Sequence, residues 1–526
     1  MVSSSTPLGD LVEASLLRGR NTVVRPDEPL GRALQGTIQP AATRVGGSSL
    51  DISLCRTASE LARTLSQGTA LSLGGGPLPL PLLRARRDFF QSLHTTVFSV
   101  SLVVQARRVI EAAEVVETRL LDSIPPPDDA ASMDAFVAQF GDSFVSSLQL
   151  GGEVQGVYTF FAQSRQEARK VEQAFGGALA VSGLTLGPEL SRRAEEVASS
   201  TGVNTSFRFM VRGVRTLPEL STPEQLVDFA GRFGTLTLDD PQVLELETRG
   251  YEMVPQLRQP FLPVAANRIL FSGDPFSPGL LRREQRLREI SNQCKWVAGT
   301  YDLYGVAPDP GLAPNRATIE ADLRSLTELK RLYFQSPSTP LSVPEMLSLR
   351  TGSPHLNVEV VDGEPMGGDG GKPFGFADRA SAVSSRKRLV AVGLRGRARI
   401  DQIRLTYERG SSAFASPETW QEVHGGSGGR DLGDLQLAAG VSIARIEADT
   451  GRPHGRVDKL SLTTSDGQSI GGGGNAGNTE MLWERAADEV VLGFSGRAEA
   501  ELDALRAVIA RFGPLVWEEV DEAEDP

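Results

Sequence analysis

Hydrophobic positions recur with two different periods, and the change of period marks how the chain is organised. Over Ala131–Phe140 the residues Met133, Phe136, Val137 and Phe140 fall at helical spacing, which predicts a helix closed by Gly141. Phe144–Leu150 and Val154–Phe161 read as strand, and Gly151-Gly152 between them predicts a bend or bulge. Arg165–Phe175 reads as helix, Gly176–Gly187 as an apolar loop of small residues, and Pro188–Ser200 as helix again. Asn204–Gly213 returns to strand, with Ser206, Arg208, Met210 and Arg212 on one face and Phe207, Phe209 and Val211 on the other. An earlier stretch has a similar outline. Ser59–Leu73 reads as a helix running into a strand, Gly74–Leu93 as an irregular and then helical insert, and Thr95–Ala106 as a strong strand. Two strand–insert–strand units thus flank a helix, and another helix is expected at Gln225–Phe233.

The last third of the chain alternates apolar and polar residues instead. Ile400-Asp401-x-Ile403-x-Leu405-x-Tyr407 is matched by Val457-Asp458-x-Leu460-x-Leu462-x-Thr464. Ile403, Leu405 and Tyr407 would face a core, and Gln402, Arg404 and Thr406 would face water. Glycine clusters recur with the strands: Gly367-Gly368-Asp369-Gly370-Gly371, Gly425-Gly426-Ser427-Gly428-Gly429 and Gly471-Gly472-Gly473-Gly474. Self-similarity at near-constant spacing predicts one strand-and-loop unit used about three times. A single glycine doublet is enough for a plain turn, but the repeated set suits loops that let a ligand approach the backbone. Between the two regions, Pro278–Ser291 and Thr318–Tyr333 read as helices, with proline-rich breaks at Ala307–Pro314 and Ser336–Pro344 and a hinge at Gly363-Glu364-Pro365.

The 526 residues suggest two to four domains. A net charge of −12 argues against a nucleic-acid partner and against bulk attraction to anionic lipid. The two cysteines, Cys55 and Cys294, are expected as lone thiols in separate domains. Met1–Asp10 has no apolar segment of the kind a signal peptide carries, and no apolar run is long enough for a transmembrane helix. The four histidines, His94, His355, His424 and His454, lack metal-ligand spacing, so no metal and no cofactor is expected. Gly425-Gly426-Ser427-Gly428-Gly429 spells a Gly-x-Ser-x-Gly elbow but lacks its strand-to-helix context, and no catalytic residue is assigned. The expectation is a protein that is not an enzyme.

Residues 364–512 resemble a jacalin-related lectin domain. The resemblance rests on Gly370-Gly371-Lys372-Pro373-Phe374, the Ile400-Asp401-Gln402-Ile403 strand, the His424–Gly429 loop, Gly493-Phe494-Ser495-Gly496-Arg497 and Leu502-Asp503. It implies an all-β, three-sided β-prism that binds sugar at one apex. Carried over, the carbohydrate-binding residues are Gly371, Ala500, Glu501 and Asp503, with Glu499 standing where the family opens its last loop with glycine. An aspartate acceptor beside amide donors suits vicinal hydroxyls, which both donate and accept.

The order of the first region resembles the membrane-attack-complex/perforin (MACPF) family. That family's signature is an aromatic residue, glycine, a hydroxyl residue, histidine and an aromatic residue, followed by a glycine pair. Here it reads Phe140-Gly141-Asp142-Ser143-Phe144 with Gly151-Gly152 beyond, so Asp142 and Ser143 replace the hydroxyl and the histidine. The resemblance implies an α+β domain: a bent antiparallel sheet flanked by helical clusters that unravel into membrane-crossing hairpins within a homo-oligomeric ring. A closed barrel leaves no unpaired edge in lipid, and each spanning strand needs about 9–11 residues. The Arg165–Val203 insert is long enough for two, whereas Pro77, Pro79 and Pro81 fit the first insert poorly to a barrel. An unrelated α+β domain, with Phe140 and Phe144 as core and Gly151-Gly152 as a bulge, would satisfy the same residues.

The expected layout is a MACPF-like domain over 1–255, a helical extension and linker over 256–363, a β-prism lectin over 364–515 and an acidic tail over 516–526. The expected function is a protein that binds glycans or glycolipids, reaches a lipid membrane and forms a pore there. It would be secreted or released by an unconventional route. The alternative is a non-lytic carbohydrate-binding adhesin or structural protein on the same scaffold.

Overall fold

The computed structural model describes residues 12–518, apart from short stretches and the longer ones at 66–88, 180–191 and 410–417. The N-terminal region mixes helix and sheet. Its seven strands are β1 (Gly19–Arg20), β2 (Leu34–Pro40), β3 (Gly46–Cys55), β4 (Ser99–Leu120), β5 (Ser143–Phe161), β6 (Asn204–Arg212) and β7 (Gln242–Gly250). β4 and β5 form a long antiparallel pair running from Ser99↔Phe161 to Glu114↔Ser147. Each has two shorter strands on its outer side. β3 pairs with β4 from Cys55↔Ser101 to Gly46↔Val109, and β2 takes over at Pro40↔Ala113. β6 pairs with β5 down to Glu153↔Arg212, and β7 takes over at Gly151↔Gln242. Both flanks therefore change hands at the level of Gly151-Gly152.

Three backbones crowd at that level. A Cβ on Gly151 would collide with the Arg108 carbonyl, and one on Gly213 (φ +94°) with Gly152. The glycine pair does not interrupt β5, which is one continuous strand. The irregularity falls on its partner, as a register shift between Val109 and Glu111. A bulge on the facing strand uses the room that the missing side chains leave. The Arg212–Glu153 ion pair, at 2.8 Å and buried on both sides, closes the same level, and Arg212 Nη2 also donates to Val243 O at 2.8 Å.

Several expected elements moved. The strand of the first unit precedes its helix: β3 comes before Ala58–Leu65, not after it. Its Leu50, Ile52 and Leu54 pack on the core shared by β4 and β5, and the intervening Asp51 and Ser53 complete the apolar–polar alternation of a half-buried strand. The expected strand after Ser59 and most of the Gly74–Leu93 insert lie outside the described residues. In the second insert the helix Arg165–Leu179 runs four residues past Phe175, and most of Leu179–Ser200 also lies outside. Ala168, Val171 and Phe175 dock that helix on the sheet, with the Phe175 ring tilted against Phe160 at 5.3 Å between centroids.

A helix at Leu262–Ser272 and two long ones, Leu280–Tyr304 and Leu312–Gln335, follow. Both long helices straddle two cores. Leu280, Leu281, Leu287, Leu326, Leu329 and Tyr333 pack with the lower half of the N-terminal sheet. Ile290, Cys294, Val297, Tyr301, Tyr304 and Ile319 join the C-terminal core. Cys55 and Cys294 are both buried and are not joined by a disulfide.

The C-terminal region is all β. Three antiparallel sheets enclose one apolar interior. The first joins Val358–Asp362 to Leu502–Phe512, Glu489–Ala498 and Lys372–Phe374, so the start and end of the region lie in one sheet. The second holds Lys387–Gly396, Ile400–Arg409, Glu418–Gly425 and Arg430–Gln436. The third holds Ile443–Thr450, Val457–Thr464, Ser469–Gly473 and Thr479–Glu484. Ile403, Leu405 and Tyr407 are buried, and Gln402, Arg404 and Thr406 lie at partial exposure, as the alternation requires.

Candidate functional site

Three corners of the prism share one backbone plan. In each sheet a short loop leads into a strand whose second residue is aspartate: Asp401, Asp458 and Asp503. Opposite each aspartate stands a glycine with positive φ: Gly425 (+103°), Gly473 (+106°) and Gly367 (+121°). A Cβ there would strike the aspartate carbonyl, so only glycine fits. The next amide then bonds that carbonyl: Gly426 to Asp401 at 2.9 Å, Gly474 to Asp458 at 3.2 Å and Gly368 to Asp503 at 2.9 Å.

The first corner contains all four residues expected to bind sugar. Asp503 is buried, and its carboxylate lies beneath Gly370 and Gly371, where any Cβ would touch its oxygens. Gly371 has φ +63°. Arg497 pins this glycine loop by donating from Nε to Gly370 O and from Nη2 to Gly371 O, both at 2.8 Å. Ala500 and Glu501 form the turn opposite, closed by Glu499 N donating to Glu501 O at 3.1 Å. Among the described residues the amides of Ala500 and Glu501 take no backbone acceptor, which leaves two donors beside one buried carboxylate. Glu499 and Ala500 are exposed, so the Glu499 side chain stands at the rim.

The electrostatics of this corner are crowded. Glu501 is held by Arg399 Nη1 at 3.1 Å and by Arg456, and Arg456 Nε also lies 3.5 Å from Asp503 Oδ1. Burial pushes the Asp503 carboxyl above the usual aspartate value; the charges of Glu501 and Glu499 add to the rise, and Arg456 and Arg497 oppose it. Arg456 is half exposed and bridges Glu501 and Asp503.

The second corner repeats the geometry. Gly429 has φ +63°, and Gly428 and Gly429 cover the Asp401 carboxylate. Arg395 reaches Gly428 O and Gly429 O at 3.4 Å, and Arg397 N donates to Arg399 O at 3.0 Å. At the third corner Arg399 Nε holds Asp458 at 3.2 Å, and the loop residues 451–454 and 475–478 lie outside the described residues.

Residues 363–508 match the model for the Jacalin-like lectin domain. This stretch is therefore a carbohydrate-binding type of domain. Among solved structures, wild-type Malaysian banana lectin is 24% identical, covering 30% of this chain and 99% of its own, with a TM-score of 0.24. AcmJRL, a mannose-binding jacalin-related lectin from Ananas comosus, is 19% identical over 28% of this chain and 96% of its own, with a TM-score of 0.24. An artocarpin–mannotriose complex is 18% identical over 29% and 97%, again with a TM-score of 0.24. A search of curated proteins finds no match to the chain.

The second group of expected residues lies far from the prism apex. Phe140 and Phe144 are buried in an aromatic cluster with Phe136, Tyr251 and Phe261, and Tyr251 OH donates to Phe140 O at 2.9 Å. Gly141 (φ +81°) ends the Ala130–Phe140 helix, where a Cβ would collide with the Arg20 backbone. Gly151 and Gly152 sit at the sheet discontinuity. Asp142, noted in the sequence only as a replacement, proves to be a hub. It is fully buried and accepts from Thr22 N at 3.0 Å, from Thr22 Oγ1 and from Tyr333 OH at 2.8 Å, while Arg268 donates to its carbonyl at 2.9 Å. Burial, then the Asp142 charge, holds the Tyr333 phenol protonated. No pattern around Asp142 signals this, because its partners come from positions 22, 268 and 333. Among the described residues, no cluster of three or more His, Cys, Asp or Glu is placed to hold a metal.

Proposed function

We propose that this protein recognises a glycan at the first corner of its prism, through Gly371, Ala500, Glu501 and Asp503. The observation that carries the reading is a buried carboxylate roofed by side-chain-free glycines and faced by two open amides, within a jacalin-like lectin domain. The carboxylate accepts from two sugar hydroxyls while the amides donate to one of them, and hydrogen bonds to an ionised acceptor are the stronger kind. Titration of the full chain with a panel of neutral pyranosides tests it. Loss of all binding in Asp503→Ala, with the circular dichroism unchanged, is the expected result. Binding that survives that change overturns the assignment.

For the N-terminal region we infer a MACPF-like body that delivers the protein into a membrane as a ring. What supports this reading is the sheet: a long central pair, half-strands on both flanks that change at Gly151-Gly152, and inserts after β3 and β5 at matching ends of the sheet. The Arg165–Leu179 helix lies on the sheet surface with Arg169, Lys170 and Gln173 exposed, so its release uncovers a sheet face and dismantles no strand. Its cost is the exposure of Val171 and Phe175, about 1.5–3 kcal/mol each before lipid contact offsets it. Dye-loaded liposomes carrying a bound glycolipid decide the matter. Leakage with rings visible by electron microscopy is expected; binding without leakage gives the non-lytic adhesin instead.

A further inference from the structure

The first and second corners of the prism share a plan and differ in charge. Gly371 and Gly429 have the same φ, +63°, and each covers a carboxylate that burial pushes above its usual value. Arg497 and Arg395 reach the glycine-loop carbonyls in the same way. Glu499-Ala500-Glu501 forms the turn at the first corner, and Arg397-Ala398-Arg399 forms it at the second. Both turns close by the same bond, from residue 499 to 501 and from residue 397 to 399. Two carboxylates have become two guanidinium groups on an unchanged backbone. Arg430 is the pairing partner of Gly396 and so stands next to Arg397, in the place that Lys372 holds at the first corner. Around Asp401 there are thus Arg395, Arg397, Arg399 and Arg430, with Glu501 the acid that acts on it, whereas Asp503 has Glu499 and Glu501 beside Arg456, Arg497 and Lys372.

The four arginines are not equally committed. Arg399 is held by Asp458 and Glu501, and Arg395 by backbone carbonyls. Arg397 and Arg430 are exposed, and among the described residues neither has an ion-pair partner. Two uncommitted guanidinium forks beside a glycine-roofed acceptor match a ligand that presents hydroxyls and an anion together.

We propose that the second corner binds an acidic sugar, with its hydroxyls on Asp401 and the Gly429 loop and its carboxylate or sulfate on Arg397 and Arg430. The proposal rests on the glycan-binding reading above and adds the ligand class of a second site. Either anionic group fits a guanidinium fork, and separate arms distinguish them.

The test titrates the full-length protein calorimetrically with methyl glucuronide, glucose 6-sulfate and methyl glucoside, at about 50 and 300 mM salt. The expected result is that at least one acidic sugar binds about tenfold more tightly than the neutral one, and that the advantage shrinks at high salt. In the Arg397→Ser/Arg430→Ser variant the advantage disappears while neutral-sugar affinity stays within about twofold. Both side chains are exposed, and an unchanged circular dichroism spectrum verifies folding. Neutral binding with no acidic preference overturns the proposal and leaves the glycan reading standing. Acidic binding that the double variant does not weaken overturns it also. If no sugar binds at all, the glycan reading falls and takes this one with it.

Discussion

Replacing Gln293 by methionine should stabilise the protein. Gln293 lies in the Leu280–Tyr304 helix just past the change of core, with Leu287 in the N-terminal core and Ile290, Cys294 and Val297 in the C-terminal one. It is 0% exposed, and among the described residues neither its amide oxygen nor its amide nitrogen has a hydrogen-bond partner. Each buried, unmatched polar group costs about 1–3 kcal/mol relative to water. Methionine matches glutamine in length and flexibility, so repacking should cost less than about 1.5 kcal/mol. The balance is a gain of about 2 kcal/mol. At about 2.1 cal/mol/K of unfolding entropy per residue, that raises the unfolding midpoint by about 4 °C for a cooperative unit of roughly 250 residues and by about 2 °C if the whole chain melts as one. Differential scanning calorimetry on the full chain measures it, and because the helix serves both cores, every transition that melts it should move. Gln293→Ala is the control; it removes the amide but leaves a cavity, so its gain should be smaller. A midpoint that falls in Gln293→Met refutes the reasoning, because the amide would then be making hydrogen bonds that the surrounding protein atoms do not supply.

Five further outcomes are expected. Gly371→Ala should abolish binding at the first corner in the pyranoside titration, since the new Cβ meets the Asp503 carboxylate at φ +63°. Sugar binding there needs ionised Asp503, and its folded carboxyl is raised, so affinity should fall on acidification at a higher pH than an ordinary aspartate would give. The same sign means that ionising Asp503 costs stability, a cost absent at low pH and present once pH rises through the folded value; Asp503→Asn should therefore raise the neutral-pH melting point while removing binding. Asp142→Ala should lower stability by about 3–5 kcal/mol in urea titration, because Thr22 and Tyr333 lose a buried ionic partner. Phe175→Ala should cost about 3–5 kcal/mol in the docking of its helix, measured as faster limited proteolysis, and in the membrane-inserting reading it should speed liposome leakage without changing sugar affinity.

How much of this was legible beforehand depends on whether a local pattern encodes it. The strand-and-loop repeat was, because its strands alternate and its glycines recur with them, while its closure into a prism was what the resemblance to jacalin-related lectins implied. The third glycine cluster was misjudged in register. Gly471 and Gly472 belong to the Ser469–Gly473 strand, and it is Gly473 that faces Asp458, so the counterpart of the earlier clusters is Gly473-Gly474-Asn475-Ala476-Gly477. A run of identical residues carries no phase of its own. β4 was read as ending at Ala106 but continues to Leu120, through the helix-favouring residues Glu111, Ala112, Ala113 and Glu114. Pairing with β2 on one side and β5 on the other overrides that local preference. The Asp142 hub was invisible because its partners are scattered along the chain. The helices expected at Pro278–Ser291 and Thr318–Tyr333 run longer, to Tyr304 and from Leu312, and no local pattern indicated that each would be shared between two cores.

That sharing determines how a glycan bound at the apex could act on the rest of the molecule. A prism on a flexible linker would only raise local concentration, with the sheet free to take any orientation. Here the linkage is stiff. The Leu280–Tyr304 helix spans about 37 Å at 1.5 Å per residue, with one end in each core. Its C-terminal end is bolted to the prism: Tyr304 OH donates to Lys387 O at 2.8 Å, Gly440 N to Leu303 O at 2.9 Å, and Arg485 Nη2 to Gly305 O at 2.6 Å. Gly305, with φ +61°, packs so closely on Gly440 that a side chain could not be accommodated. Leu515 N also donates to Asp309 at 3.1 Å, tying the end of the chain to the turn between the two helices. A sugar held at the first corner therefore fixes the orientation of the N-terminal sheet as well as its distance from the surface. If orientation matters to function, Gly305→Val should leave sugar affinity intact, since the apex loops are untouched, and should abolish whatever the N-terminal region does at a glycan-bearing membrane. Full membrane activity in that variant would show that the prism serves as a tether alone.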